Sequence, residues 1–157
     1  MRSLTLTPAL PDDAAECLRL RALTRENAFT EARLAELGIT VASWRDGIVS
    51  GELPGWVAWD GERMAGYCFG DRDSGEIVVL ALLPEYEAGG WGRRLLRQMV
   101  DTLAAHGWQR LFLSCSSDPA ARSYGFYRHL GWVHGGESDQ HGDHILELRL
   151  EPKPHST

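Results

Sequence analysis

Cysteine and long apolar segments are scarce in this sequence, and their scarcity excludes several classes of protein. The three cysteines, Cys17, Cys68 and Cys115, are odd in number and far apart, so we expect neither a disulfide framework nor a cysteine zinc site. No apolar run approaches the roughly 20 residues that span a membrane. The N-terminal segment lacks the apolar core and the cleavage site of a signal peptide. These absences predict a cytoplasmic protein with no membrane partner.

Basic residues are outnumbered by acidic ones. The chain has 16 Lys and Arg against 22 Asp and Glu, which gives a formal net charge of -6. A general nucleic-acid-binding surface needs an excess of basic residues, so we expect no nucleic-acid partner. An acidic balance is compatible with a cationic acceptor such as an amine, although it mainly favours solubility.

Internal repeats, low-complexity regions and interdomain linkers are also absent from the sequence. A chain of 157 residues, 43% of them hydrophobic and 24% charged, is long enough to bury a core as one globular domain. We expect that domain to span residues 1–151. Residues 152–157 are predicted to form a loose C-terminal tail.

What the chain does contain is a strand, a glycine-rich turn and a helix in direct succession. The apolar run 77–83 predicts a strand buried on both faces, and Pro84 ends it because proline cannot donate to a sheet ladder. Glycines cluster at 89, 90 and 92, and apolar residues then recur at helical spacing up to Leu103. Gly107 fits the position just after the helix end. The spacing therefore predicts a helix whose N-terminus carries little bulk.

That geometry is typical of a phosphate-binding site. The first turn of a helix has unpaired N–H groups and a partial positive charge, and glycines let phosphate oxygens approach closely. The alternative is a plain tight turn whose glycines serve a steric purpose. A dinucleotide-binding domain is disfavoured, because Leu95 stands where its third glycine would be.

The remaining patterns predict helices and strands in part alternating and in part paired as hairpins. A first helix should begin at Pro11 and fade near residue 27 or 29, and Asp118 should cap a helix that has Pro119 at its first position. Asp60-Gly61 predicts a two-residue hairpin turn. Strands are expected at 3–7, 55–60, 62–71, 77–83, 110–115, 132–134 and 145–150, and further helical segments at 31–38 and 40–50. This order predicts an α/β fold, with a central mixed sheet flanked by helices.

Two segments resemble hallmarks of the GNAT acyl-CoA N-acyltransferases. The first is Glu87-Ala88-Gly89-Gly90-Trp91-Gly92, which resembles that family's Q/R-x-x-G-x-G/A motif between a strand and a helix, with Glu87 in place of Gln or Arg. The second is the stretch 121–132, which is similar to the family's A-x-x-x-Y-x-x-x-G-[FW] segment, with Ser123, Tyr127 and Gly131-Trp132 at the motif positions. The resemblance covers nearly the whole chain and implies the GNAT fold.

The resemblance also implies a function. The chain is expected to move an acetyl group from acetyl-CoA by direct transfer to a primary amine of a small molecule or peptide, without a metal. The alternative is a non-catalytic acyl-CoA-binding regulatory module on the same fold. Dimers are common in the family, which leaves a homodimer open. The residues that the resemblance assigns to the cofactor are Leu82, Leu83, Glu87, Ala88, Gly89, Gly90, Trp91, Gly92 and Arg93.

The resemblance implies catalytic roles for two further side chains. Holding a lysine-like amine neutral at pH 7 costs about 4.6 kcal/mol, so a base is needed, and Glu76 stands where the family's histone-acetylating branch has a catalytic glutamate. Tyr127 fits the family's general acid for the leaving thiolate. The backbone N–H of Leu82 is expected to polarise the acyl carbonyl.

Weaker candidates lie elsewhere in the sequence. By the resemblance, the segment after the first helix contributes to the acceptor pocket, where Arg25, Glu26, Phe29 and Trp44 fall. The favoured alternative for each is that Phe29 and Trp44 are core residues and that Arg25 and Glu26 are solvated. The acidic residues 139 and 143 with the histidines 141 and 144 suggest a metal site, but a solvated loop is the favoured reading. The sequence shows no evident base that would activate Cys115 as a nucleophile, and this cysteine fits a small buried residue.

Overall fold

Two antiparallel sheets form the framework of the protein, seen in a computed structural model that describes residues 3–24 and 30–150. The strands are β1 (Thr5–Pro8), β2 (Gly55–Asp60), β3 (Arg63–Gly70), β4 (Ile77–Leu82), β5 (Arg110–Cys115), β6 (Val133–Ser138) and β7 (His144–Arg149). The α-helices are α1 (Ala14–Arg21), α2 (Glu31–Glu36), α3 (Val41–Ser50), α4 (Trp91–Ala105) and α5 (Arg122–His129). Short 3-10 turns cover Pro11–Asp13 and Pro84–Tyr86.

The two sheets meet at the start of β4 and then separate. Strands are ordered β1-β2-β3-β4 in the first sheet and β5-β7-β6 in the second. An isolated parallel bridge between Glu76 and Phe112 joins them. Along the part of the chain that the structure describes, no further pairing links β4 to β5. The predicted α/β fold, with helices around a central mixed sheet, is confirmed. Among the described residues, parallel pairing between the two sheets is limited to this bridge, and a cleft opens beyond it.

The ends of several elements differ from the sequence expectations. The first helix is shorter than predicted, because a 3-10 turn occupies Pro11–Asp13 and α1 ends at Arg21. In the β2–β3 hairpin, Asp60 still pairs with Arg63, so the turn is formed by residues 61 and 62 instead of Asp60-Gly61. Gly61 adopts φ 60° there, a conformation that favours glycine.

Helix α5 begins later than its sequence pattern predicts. Asp118 does not cap it: its carboxylate accepts from the N–H of Ala120 at 2.9 Å, and its carbonyl accepts from the N–H of Ala121 at 3.0 Å. These contacts close a separate turn, since an aspartate can satisfy nearby backbone donors without a helix following it. Helix α5 therefore starts at Arg122, which brings that side chain to the edge of the cleft.

Strand β4 is buried on one face only, which corrects the prediction that both faces are buried. Ile77, Val79 and Ala81 are buried, whereas residues 78, 80 and 82 between them are half-buried. The alternation follows from the cleft, because the side chains of one face have no complete layer of protein over them. Helix α4 packs on the first sheet through its buried residues Leu95, Leu96, Met99 and Leu103.

The length and apolarity of the described helices bear on whether any of them could span a membrane. None of the helices in residues 3–24 and 30–150 is both long and apolar enough to cross a bilayer. The predicted tail, residues 152–157, lies outside the described part of the chain.

Candidate functional site

A groove of about 160 Å³ lies in the cleft where β4 and β5 separate. Its floor is apolar and is formed by side chains of β4 and α5, while its rim carries two arginines, a glutamate and two glycines. The lining residues are Leu80, Leu82, Glu87, Gly90, Gly92, Arg93, Arg122, Ser123, Phe126 and Tyr127. A ligand with an apolar chain and an anionic end matches this division.

The rim of the groove includes the N-terminus of α4. Gly90 is the N-cap residue of this helix and has φ 80°, and Gly89 before it has φ 105°. Both lie in the left-handed region that glycine adopts without strain. No side chain caps the first turn of α4, so its N–H groups and the positive end of its dipole point to the rim. This end of the groove suits phosphate oxygens.

The backbone of β4 presents a donor to the other end of the groove. The N–H of Leu83 donates to the carbonyl of Ala65 at 2.9 Å, so Leu83 occupies a hydrogen-bonded position opposite β3. Positions in an antiparallel ladder alternate, and Leu82 is therefore turned with its N–H away from β3. Because β5 has already diverged, that N–H faces the cleft.

The glutamate that departs from the family motif forms an ion pair across the rim. Arg122 donates from Nη1 to Oε2 of Glu87 at 2.8 Å and from Nη2 to the carbonyl of the same residue at 3.2 Å. The pair joins the glycine-rich turn to the start of α5, 35 positions along the chain. The carboxylate is thus neutralised by a guanidinium in the groove.

Tyr127 lies at the boundary between the groove and a second cavity. Its side chain is 9% exposed and packs edge-on against Phe126 and Trp132, with ring centroids 5.0 and 6.2 Å away. The second cavity, about 370 Å³, is lined by Ser114, Cys115, Ser116, Ala121, Ser123, Tyr127 and Asp143. A molecule in either space reaches Tyr127.

Glu76 does not line either of the cavities that Tyr127 lines. It lies at the bridge where the sheets meet, six residues before Leu82, which is about 20 Å along an extended strand. Burial, and then the nearby charge of Asp71, raise the pKa of the Glu76 carboxyl, which favours a proton-accepting group but does not supply contact with the groove.

Several other predicted site residues lie away from the groove lining. Leu83 is a core residue, and Trp91 is buried with the Arg94 guanidinium 4.6 Å from its ring centroid. Ala88 and Gly89 are exposed on the turn. The groove lining also includes four residues that were predicted neither as cofactor-binding nor as catalytic, namely Leu80, Arg122, Ser123 and Phe126. Each of them lies either on β4 or in the motif segment that contains Tyr127, and this position is the sequence signal that could have identified it.

The predicted acceptor residues are only partly described. Arg25, Glu26 and Phe29 lie outside the described residues. Trp44 is buried against Phe69, with ring centroids 5.3 Å apart. Its indole N–H has no hydrogen-bond partner among the residues that the structure describes. Its packing is that of a core residue.

The histidine-rich turn has a structural arrangement of its own. The carboxylate of Asp139 accepts from the N–H groups of His141 and Asp143 at 2.8 and 3.0 Å. His144 stacks on His134, with ring centroids 3.9 Å apart, and its Nδ1 lies 2.9 Å from Nη2 of Arg128. Within residues 3–24 and 30–150, no three His, Cys, Asp or Glu side chains are grouped to hold a metal ion.

Comparison of the sequence with family models identifies the family of this chain. The sequence model of the acetyltransferase (GNAT) family matches residues 16–132, more than half of the 157-residue chain. The chain belongs to the acetyltransferase (GNAT) family. The matched GNAT span includes β4, the glycine-rich turn, α4 and the segment from Arg122 to Trp132.

Solved structures share the GNAT fold of this chain. The PaiA N-acetyltransferase of Thermoplasma acidophilum, solved in complex with coenzyme A, has a TM-score of 0.70 and 17% identity, over 94% of this chain and 99% of that one. YncA of Salmonella typhimurium, solved with its cofactor acetyl-CoA, has a TM-score of 0.71 and 18% identity, over 99% of this chain and 98% of that one. At these identities the likeness shows the fold.

A curated relative matches a shorter stretch. The amino-acid acetyltransferase of Neisseria meningitidis serogroup A is 43% identical over 44 residues, which is 28% of this chain. The match spans 10% of that relative's length. One segment of this chain is therefore similar to part of an acetyltransferase.

Proposed function

We propose that this protein transfers an acetyl group from acetyl-CoA directly to a primary amine of a small molecule or peptide. The groove is the observation that carries the proposal. It joins an apolar floor beside the Leu82 N–H to the N-terminus of α4 at Gly90. An acyl-pantetheine arm fits the first end and a pyrophosphate fits the second.

In the proposed reaction the amine nitrogen attacks the thioester carbon, and the carbon–sulfur bond then breaks. The N–H of Leu82 stabilises the negative charge that develops on the carbonyl oxygen. Tyr127 donates a proton or a strong hydrogen bond to the leaving thiolate. The amine proton passes to a base. Glu76 is the base that we propose, and because it lies about 20 Å from Leu82 along β4, the proton has to reach it through a chain of several water molecules.

The second cavity offers the amine a route to the reacting groups. It shares Ser123 and Tyr127 with the groove, and its other lining residues include the carboxylate of Asp143. A carboxylate in a polar cavity suits a cationic acceptor before it loses its proton. This arrangement supports an amine acceptor over a neutral one.

A non-catalytic acyl-CoA-binding module is the second candidate. The separation of about 20 Å between Glu76 and Leu82 favours it, since a base remote from the acyl group weakens the case for amine activation. The groove supports cofactor binding equally in both candidates. The two candidates differ in that only the acetyltransferase releases coenzyme A when an amine is present.

Calorimetric titration with acetyl-CoA, followed by an amine panel with detection of the released thiol, tests the two candidates. We expect binding that free coenzyme A competes with, and thiol release with at least one amine class. Binding without release across polyamines, amino acids, peptide N-termini and lysine side chains would favour the binding module. A folded protein that binds neither acetyl-CoA nor coenzyme A would contradict both.

A further inference from the structure

The ion pair at the rim of the groove has an unusual charge arrangement for a phosphate-binding site. Glu87 supplies a carboxylate to the lining next to the glycine-rich turn. A carboxylate repels phosphate oxygens unless a cation neutralises it. Arg122 contacts both Oε2 and the carbonyl of Glu87, so the repulsion is cancelled within the groove itself.

The two partners of this pair differ in their exposure. The side chain of Glu87 is 13% exposed, whereas that of Arg122 is 62% exposed. The carboxylate has lost most of its contact with water and is paired with the guanidinium. Removing one partner of a desolvated ion pair is costly, because the other charge stays buried without compensation. Loss of Arg122 therefore removes the guanidinium that offsets this negative charge beside the ligand.

The guanidinium is also well placed to meet a ligand. Arg122 and Arg93 both line the groove, close to the N-terminus of α4. A guanidinium binds phosphate oxygens through charge-assisted hydrogen bonds. Glu87 fixes the guanidinium at the rim through two contacts, which reduces the entropy lost when a phosphate binds.

We propose that Arg122 is a specificity residue for the phosphate-bearing part of the cofactor, and that the carboxylate of Glu87 makes it indispensable. The proposal rests on the proposed acetyl-CoA function and adds a residue that the glycine-rich motif does not contain. Arg122 acts in two ways: it cancels the charge of Glu87, and it donates to a phosphate. Glu87 is a positioning residue, because its carboxylate and carbonyl hold the Arg122 guanidinium at the groove.

The two actions separate in a double-mutant experiment. Dissociation constants for coenzyme A and for acetyl-pantetheine, which has the thioester arm but no phosphate-linked nucleotide, are measured by titration for Arg122→Gln, Glu87→Gln and the double variant. We expect Arg122→Gln to weaken coenzyme A binding by about 10- to 100-fold, the range of a lost charge-assisted contact. Acetyl-pantetheine binding should change less than about two-fold, within the scatter of such differences.

The rescue by the second substitution is the decisive result. In the double variant the carboxylate is gone together with the guanidinium, so coenzyme A affinity should recover most of the loss seen in Arg122→Gln. It should remain weaker than in Glu87→Gln, which keeps the phosphate donor. As a matched control we choose Arg97→Gln, because Arg97 lies on α4 outside the groove and pairs with Asp101 at 3.3 Å. This control should leave both constants unchanged.

Other outcomes would overturn the proposal. Equal losses in Arg122→Gln and the double variant would show that the carboxylate does not matter, and equal losses for both ligands would show that phosphate is not what Arg122 recognises. If Arg122→Gln does not fold, the comparison of Glu87→Gln with the double variant decides in its place, and equal affinities there would refute the phosphate contact. A folded wild-type protein that binds neither ligand would instead contradict the proposed function.

Discussion

The two walls of the cleft are built in different ways. On one side, seven of the eight residues of β3 are buried, and helices pack on the first sheet. On the other side, Tyr127 is the one buried residue among the eight of α5. The first wall contributes main-chain groups, namely the Leu82 N–H and the turn before α4. The second contributes the side chains of Arg122 and Tyr127 from α5.

The first wall therefore holds the site in place, whereas the second supplies the side chains that we expect to act on the ligand. Main-chain donors keep their positions only if the strands that hold them are tightly packed, since a shift in β4 moves every donor along it. Side chains on α5 can be changed one at a time without moving the backbone. Substitutions in the first wall should therefore act on stability, and those in the second wall should act on rate and specificity.

The largest effect is expected from Gly66→Ala in the first wall. Gly66 pairs with Leu82, and a methyl group there would lie 2.5 Å from the carbonyl oxygen of Ala81 and 2.9 Å from Cγ of Leu82. Such overpacking should lower the free energy of unfolding by about 3 kcal/mol, as measured by urea denaturation. Gly125→Ala is the control in the second wall, because nothing lies within 4 Å of its Cβ position.

The control should behave in the opposite sense. Gly125 lies inside α5, where alanine is favoured over glycine by up to about 1 kcal/mol. Unfolding curves that shift equally for Gly66→Ala and Gly125→Ala would remove the contrast between the two walls.

The second prediction concerns rate, and it applies if the protein is a catalyst. Tyr127→Phe keeps the ring packed against Phe126 and Trp132 but removes the hydroxyl group. We expect kcat to fall about 100-fold, the lower end of typical general-acid contributions, with the dissociation constant of coenzyme A nearly unchanged. Tyr124→Phe, one helical turn earlier, should retain its rate, since the contact of Tyr124 with the Arg128 guanidinium, 3.6 Å from its ring centroid, does not need the hydroxyl. A Tyr127→Phe variant as active as wild type would exclude the acid role.

The smallest effect should come from Glu76→Gln at the junction of the walls. Burial raises the pKa of Glu76 in the folded state, so the folded protein holds this proton to a higher pH than the unfolded chain does. Its contribution to stability therefore falls as pH rises from the ordinary carboxyl value through the raised pKa. Glutamine removes that loss, and the variant should be slightly more stable than wild type at neutral pH.

Urea denaturation at several pH values between about 4 and 8, which bracket the carboxyl range, checks this prediction. The wild-type curve should decline relative to the variant curve as pH rises. If Glu76 is also the base, the variant should lose the rising limb of the pH–rate profile. If the stability of wild type and that of Glu76→Gln change in parallel with pH, then the pKa of Glu76 is the same in the folded and the unfolded state.

Features set by neighbouring residues could be predicted from the sequence. Pro84 ends β4, Gly107 follows the end of α4 with φ 99°, and Thr30 caps α2 by accepting from the N–H of Arg33 at 3.1 Å. Each depends on backbone geometry or on a side chain within one turn of the chain. The cap predicted at Asp118 was wrong because the same carboxylate closes an isolated turn equally well.

Features set by distant residues could not be predicted in this way. Leu80 and Phe126 come from segments far apart, and only their packing makes them part of one groove. The motif predicts that Glu87 lies near a phosphate site, but nothing in its local sequence reveals Arg122 as its partner. The half-exposed face of β4 was missed for the same reason, because its apolar run does not show that β5 diverges.

The sequence by itself determined the strand, the glycine-rich turn and the helix of the GNAT motif, because proline, glycine and apolar spacing act within a few residues. It also determined that Tyr127 lies in the second motif. Only the tertiary structure decided that the sheets join at Glu76 and then separate, and that Arg122 neutralises Glu87. Those outcomes depend on how segments tens of residues apart pack together, which local preferences do not encode.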